Sequence, residues 1–176
     1  METMQAIKSR RSIRDYTGQP ITEEELAAIL EAAQAAPVGM GAYENVHLTV
    51  VKDLDLLSRI NKTAQAAFSG NTNPLYGAPT LIVVSVKLQE GMTNNVAYSN
   101  AAILVENMAL AATDLGVGCC HIWGAIMVVD QNPALIADLK VPEGYTPACA
   151  IALGKTRETY GVREIPKDRI TVNVLE

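Results

Sequence analysis

Four cations stand close together near the start of the chain: Lys8, Arg10, Arg11 and Arg14, with Ser9 and Ser12 among them. Three guanidiniums and two hydroxyls within six residues form a donor set suited to a phosphate. Arginine offers forked donors to anionic oxygens, and serine adds a hydroxyl. The same cluster also fits a solvated basic face on a protein that binds nothing there. His121 follows Cys119 and Cys120 directly, which raises a Cys–His reading that only spatial geometry can decide; a buried structural cysteine is the plainer alternative. Trp123, the single tryptophan, precedes Gly124 in what reads as a loop, and either packs in the core or lines a site. The run Glu23-Glu24-Glu25 needs no catalytic account, because it suits the positive end of a helix.

Several chemistries lack their signatures. There is no GxxxxGK[ST] and no GxGxxG, so the two common phosphate-binding fingerprints are missing. Gly116-Val117-Gly118 is a lone GxG that follows a helix pattern and reads as a turn. No GxSxG elbow occurs. The histidines are His47 and His121, and no CxxC pair exists, so no metal site is expected.

The elements that must position the basic cluster are read from pattern. A short helix is expected over residues 4–10. Thr22 with Glu25 three residues on forms a capping box, and Leu26, Ile29, Leu30 and Ala33 share one face of the helix that follows. It is expected to end near Ala36, before Pro37. Residues 37–45 read as a loop and 46–51 as a strand. Asp53 caps a helix over 54–68, and 69–79 is a polar, Gly/Pro-rich loop. Residues 80–86 (TLIVVSV) form a continuous apolar run, as in a strand buried on both faces. The longest helix is expected over 94–115, apolar on several faces, stopped by Gly116. A strand over 117–122, a short helix over 132–140 opening at Pro133, and a last strand over 148–153 complete the pattern. The β-branched tail, ITVNVL, is left over for pairing with a partner chain.

The chain has 176 residues, 49% of them apolar and 19% charged, which excludes a disordered chain and suits one domain over residues 1–176. Net charge is −5, from 14 Lys+Arg against 19 Asp+Glu, so a nucleic-acid partner is not expected. No apolar run is long enough to span a membrane; the stretch 101–112 comes nearest and is interrupted by Glu106 and Asn107. The first residues, METMQAIKSRR, lack the apolar core of a signal peptide. Three cysteines without a spaced framework point to a reducing, cytoplasmic setting. Alternation of strands and helices leaves α/β and α+β both open.

Taken together, these segments resemble the nitroreductase family of FMN-dependent oxidoreductases. Residues 6–14 (AIKSRRSIR) resemble its N-terminal phosphate-binding segment. Ala35-Ala36-Pro37 resembles the entry to its flavin loop, and Tyr76-Gly77-Ala78-Pro79 the entry to its central strand. Residues 107–118 (NMALAATDLGVG) resemble its long core helix and the turn after it, Ala152-Leu153-Gly154 its last strand, and Pro166-Lys167-Asp168-Arg169 its C-terminal basic motif.

The resemblance implies an α+β fold with a mainly antiparallel central sheet flanked by helices, and a homodimer. It implies FMN as cofactor, with Arg10, Arg11, Ser12, Lys167 and Arg169 at the phosphate and Arg14 nearer the ribityl chain and pyrimidine. Pro37, Val38 and Gly39 would lie along the ring, Asn71 at the pyrimidine edge, and the backbone of Ile122, Trp123 and Gly124 near N5. Met40, Tyr43 and Trp123 would line the substrate site. The loop 38–45 departs from the Ser and Asn/Gln-Pro-Trp pattern of many members, and Pro74 stands where some carry lysine. The implied function passes two electrons from NADH or NADPH by a ping-pong mechanism to nitroaromatic, quinone or similar acceptors. The cofactor carries that chemistry, so no side chain is named catalytic. Three alternatives stand beside it: a non-catalytic flavin-binding protein, a same-fold dehalogenase or flavin-fragmenting enzyme, and an interaction module without cofactor.

Overall fold

A computed structural model describes residues 1–68, 72–88 and 94–176. Its frame is a four-stranded antiparallel sheet in the order β1-β2-β4-β3. The strands are β1 (Val46–Val51), β2 (Thr80–Lys87), β3 (Gly118–Ile122) and β4 (Tyr145–Gly154). Around it lie α1 (Thr3–Ser9), α2 (Glu23–Gln34), α3 (Leu54–Ala67), α4 (Asn95–Asp114), α5 (Gly124–Asp130) and α6 (Pro133–Asp138).

Period-two alternation divides the core between the two faces of the sheet. Ile82, Val84 and Val86 of β2, Cys119 of β3, and Cys149, Ile151 and Leu153 of β4 pack with α2 and α4. Leu81 and Val83, Cys120 and Ile122, and Ala150 and Ala152 face the other way, against α3, α5 and α6. The run at 80–86 is therefore buried on both faces, as its unbroken apolar character predicts. Helix α4 crosses behind β2, β4 and β3 and also packs on α2 and α1, which accounts for its several apolar faces.

Local signals hold where expected. Thr22 and Glu25 bond reciprocally at the start of α2. Asp53 accepts from the N–H groups of Asp55 and Leu56; Asn132, expected inside the last helix, instead caps it, accepting from those of Ala134 and Leu135. Gly116 adopts φ +70° after α4 and turns the chain into β3.

Three readings need correction. Trp123 does not lie in a loop leading on to residue 132: it is the first boundary residue of α5, which the pattern missed. GAIMVVD is short, β-branched and uncapped by any side chain, so its helicity comes from burying Ala125, Ile126 and Val129 rather than from local preference. Strand β4 begins at Tyr145, not 148, and passes through Pro147. β3 pairs only with Ala150–Gly154, so at Pro147 the strand has β2 alone as a neighbour, and the register shifts there by a bulge. The loop 37–45 contains two 3-10 turns, Gly39–Gly41 and Tyr43–Asn45.

The tail beyond β4 forms no strand within the chain. Its Ile170, Val172, Val174 and Leu175 are exposed.

Candidate functional site

The basic cluster occupies the end of α1 and the extended segment after it. Ile13, fully buried, anchors this segment: its N–H donates to the carbonyl of Cys119 on β3 at 2.8 Å. Side chains two residues apart then fall together. Ser12 hydrogen-bonds the Cys120 thiol, and the charges of Arg14 and Arg10 both act on it. Burial pushes that thiol up, with Arg14, Ser12 and Arg10 opposing. Arg11 pairs instead with the C-terminal segment. Its Nη2 donates to Glu158 Oε2 at 2.9 Å and to the carbonyl of Thr159 at 3.0 Å.

Two of the three arginines thus already carry protein carboxylates. Arg10 Nε sits 3.2 Å from Glu106 Oε1, and the other oxygen of Glu106 lies 3.1 Å from His121 Nε2. Burial pushes the Glu106 carboxyl up, but the His121 hydrogen bond and the Arg10 charge outweigh it and hold the group below the usual glutamate value. His121 therefore partners a carboxylate and not a cysteine; all three thiols are free and buried.

The C-terminal segment closes one flank. Arg163 donates from Nε to the carbonyl of Lys8 at 2.9 Å and from Nη2 to that of Arg10, capping α1. Lys167 and Arg169 lie beyond it in an exposed turn, with no hydrogen bond or ion pair among the described residues.

A cleft of about 480 Å³ opens at the end of β3. Phe68, Pro74, Tyr76, His121, Ile122, Trp123 and Gly124 wall it, with Thr72, Asn73 and Ala125. Trp123 is half exposed, presenting an apolar face to the opening. A Cβ on Gly124 would meet the Phe68 ring at 3.0 Å, so this close approach favours glycine.

Two contact chains join cleft and cluster. Tyr76 lies under the Arg14 guanidinium, whose carbon is 5.5 Å from the ring centroid. His121, on the cleft wall, leads through Glu106 to Arg10. Ile122, Trp123, Gly124, Arg10, Ser12 and Arg14 are thereby drawn into one region. Pro37 is exposed; Val38 is buried and lines a separate groove of about 300 Å³ with Tyr43 and His47. Gly39 donates its N–H to Asn100 Oδ1 of α4 at 3.0 Å. Met40 is 89% exposed, with φ +59°. Asn71 lies outside the described residues.

Sequence reasoning missed Glu106, Glu158, Arg163 and the Tyr76–Arg14 stack. For Glu106 one signal existed, since it interrupts the most apolar stretch of the chain. For the others, partners more than sixty residues away leave no local trace.

An FMN phosphate fits what is present. Arg11 Nε is buried and has no hydrogen-bond partner, and a buried guanidinium N–H without an acceptor is costly. A phosphate oxygen is an acceptor of the right charge. Among the described residues no group of side chains could hold a metal ion, and no helix is long and apolar enough to cross a membrane.

The sequence profile of the Nitroreductase family matches residues 7–155. A nitroreductase with bound FMN from Bacteroides fragilis is 32% identical, with a TM-score of 0.83 and all of both chains covered. A second, also with bound FMN, from Desulfitobacterium hafniense, is 28% identical, with a TM-score of 0.85 and 99% of each chain covered. The FMN reductase (NADPH) of Bacillus subtilis is 25% identical over 181 residues, covering 96% of this chain and 72% of that protein.

Proposed function

This chain belongs to the nitroreductase family, and from that premise we propose how an NAD(P)H-dependent flavin oxidoreductase is built from its residues. FMN is the cofactor. The observation that carries the site assignment is the joining of the arginine cluster to the apolar cleft by the two contact chains, through Tyr76 and through Glu106–His121.

Arg10, Arg11 and Ser12 hold the phosphate. Arg10 offers its terminal nitrogens while Glu106 keeps its Nε, and Arg11 offers Nε while Glu158 keeps its Nη2. Lys167 and Arg169 close on the same phosphate from the exposed tail. Arg14 would hold the pyrimidine side and the backbone of Ile122, Trp123 and Gly124 the ring, with Pro37, Val38, Gly39 and Asn71 as further contacts. When bound, FMN supplies the two-electron chemistry between a reduced nicotinamide and an acceptor.

The protein's own part is to orient and to exclude. Trp123, Phe68, Tyr76 and Pro74 give the cleft flat apolar walls on which planar rings stack. Nicotinamide and acceptor use this surface in turn, which is a ping-pong order. The acceptors it suits are nitroaromatics, quinones and similar conjugated molecules.

The active form is a homodimer. Ile170, Val172, Val174 and Leu175 of the tail, with Val96, Tyr98 and Ile103 of α4, leave apolar surface uncovered in one chain. Three free thiols suit a cytoplasmic setting.

The test is a visible spectrum with chromophore extraction, followed by initial rates at several acceptor concentrations. FMN near one per chain and parallel double-reciprocal lines support the reading. Converging lines would remove the ping-pong order. A colourless protein that takes up no FMN would overturn the site assignment.

A further inference from the structure

We infer that Tyr76 is a positioning residue whose ring holds the Arg14 guanidinium at the wall of the cleft, so that one fixed cation stands beside the flavin. The inference rests on the FMN reading above and adds to it how the protein sets the cofactor's reduction potential.

Arg14 is exposed. A long exposed side chain samples many rotamers unless a partner restrains it. Here the guanidinium carbon lies 5.5 Å from the Tyr76 ring centroid, within cation–π range. The hydrogen bond with the Tyr76 side chain, and secondarily the nearby Cys120, raise the Arg14 pKa above its ordinary value. Tyr76 is itself half-buried and lines the cleft beside Pro74 and Trp123.

The backbone gives the second observation. Tyr76 has φ +56°, a left-handed conformation that bulky residues avoid, and Gly77 follows at +76°. The turn is well tied down: Tyr76 N–H donates to the carbonyl of Asn73 at 2.9 Å, and Ala78 N–H to that of Leu75 at 3.0 Å. Leu75 N–H donates to Asn61 Oδ1 at 3.0 Å. Asparagine or glycine would take this backbone with less strain. A tyrosine kept there at a conformational penalty implies a task for its ring, and the ring's partner is Arg14.

Electrostatics gives the consequence. Among the described residues lining the cleft none is a permanent cation, and His121 is paired with Glu106. A guanidinium fixed at this wall stabilises the anionic reduced flavin more than the neutral oxidised one. A guanidinium free to swing into solvent does so far less, because water screens it.

The measurement is the midpoint potential of bound FMN in the holoprotein, by dye-equilibrated reduction, for wild type, Tyr76→Asn, Tyr76→Phe, Arg14→Gln and the Asn/Gln double variant. Asparagine suits the left-handed backbone, so the turn is kept. Tyr76→Asn and Arg14→Gln are each expected to weaken reduced relative to oxidised FMN about tenfold, about 30 mV more negative for a two-electron couple. The double variant is expected to move no further than Arg14→Gln alone. Tyr76→Phe, which keeps the ring under the guanidinium but loses the hydroxyl that hydrogen-bonds it, is expected to shift in the same direction by less than Tyr76→Asn. An unchanged potential in Tyr76→Asn, or additive shifts in the double variant, would overturn the positioning role. An unchanged potential in Arg14→Gln would overturn it too, since no cation would be there to position. Failure of wild-type protein to take up FMN refutes the underlying reading, and is seen before any variant is made.

Discussion

Glu106 Oε1 lies 3.2 Å from Arg10 Nε, and this pair ties the longest helix of the molecule to its basic cluster. The second carboxylate oxygen holds His121 at 3.1 Å, so one side chain serves two partners from two other elements. A half-exposed pair of this kind contributes modestly to stability, and its value lies more in fixing geometry.

The carboxylate gives a pH dependence with a definite sign. Glu106 titrates below its ordinary value of 4.5 in the folded protein. Its contribution is therefore present above that value and lost as pH falls through the folded one. Urea unfolding of wild type and Glu106→Gln at pH 7 and pH 3.5 is expected to show the wild-type advantage shrinking at the lower pH. A gap that widened on acidification would contradict the assignment.

Arg10→Ala is expected to weaken FMN binding by about 2 kcal/mol, the loss of a charged hydrogen-bonding pair to phosphate. Flavin fluorescence on titration of the apoprotein reads this directly. Equal affinities for variant and wild type would take Arg10 out of the phosphate site.

The loop at Gly39 is pinned from α4. A Cβ there would stand 2.7 Å from Val96 Cγ1, too close for any real contact. Gly39→Ala is expected to lose about 1–2 kcal/mol in denaturant unfolding. Adding Val96→Ala removes the obstructing methyl groups, so the double variant is expected to recover part of that loss. No recovery would place the strain elsewhere.

The thiols are expected to be inert in the native protein. Burial pushes Cys149 up to about 12, and Cys119 and Cys120 are also raised by burial. At pH 8 an aromatic disulfide reagent is expected to modify none of the three at an appreciable rate, and all three after addition of guanidinium. Fast labelling of native protein would mean that a thiol is accessible.

Much of the scaffold is legible in single residues. Thr22, Asp53 and Asn132 cap helices because each offers a side-chain oxygen to N–H groups two or three residues on, and no distant partner is needed. The apolar stretch at 80–86 is a strand buried on both faces because it has no charged side to present to water. Helix α5 is less accessible: Ile126, Val128 and Val129 are β-branched and no side chain caps the helix, and packing on α3 and β4 outweighs that weak local preference. Pro147 argues against a strand, and only the length of β3 reveals that the strand has a single neighbour there.

The chemistry divides the same way. Residue types and local order alone determine the basic cluster and its capacity for an anion, since these depend on covalent neighbours. Tertiary structure alone decides that Arg10, Ser12 and Arg14 gather at Cys120 while Arg11 turns to Glu158. It alone brings Glu106 to His121 and Arg14 onto Tyr76. Those contacts span from 15 to 147 residues of chain (106 to 121, 11 to 158), and Arg14 to Tyr76 spans 62. Such distances are closed by the packing of helices on a sheet, whose driving force is burial of apolar surface elsewhere, and not by any affinity written into the residues that meet.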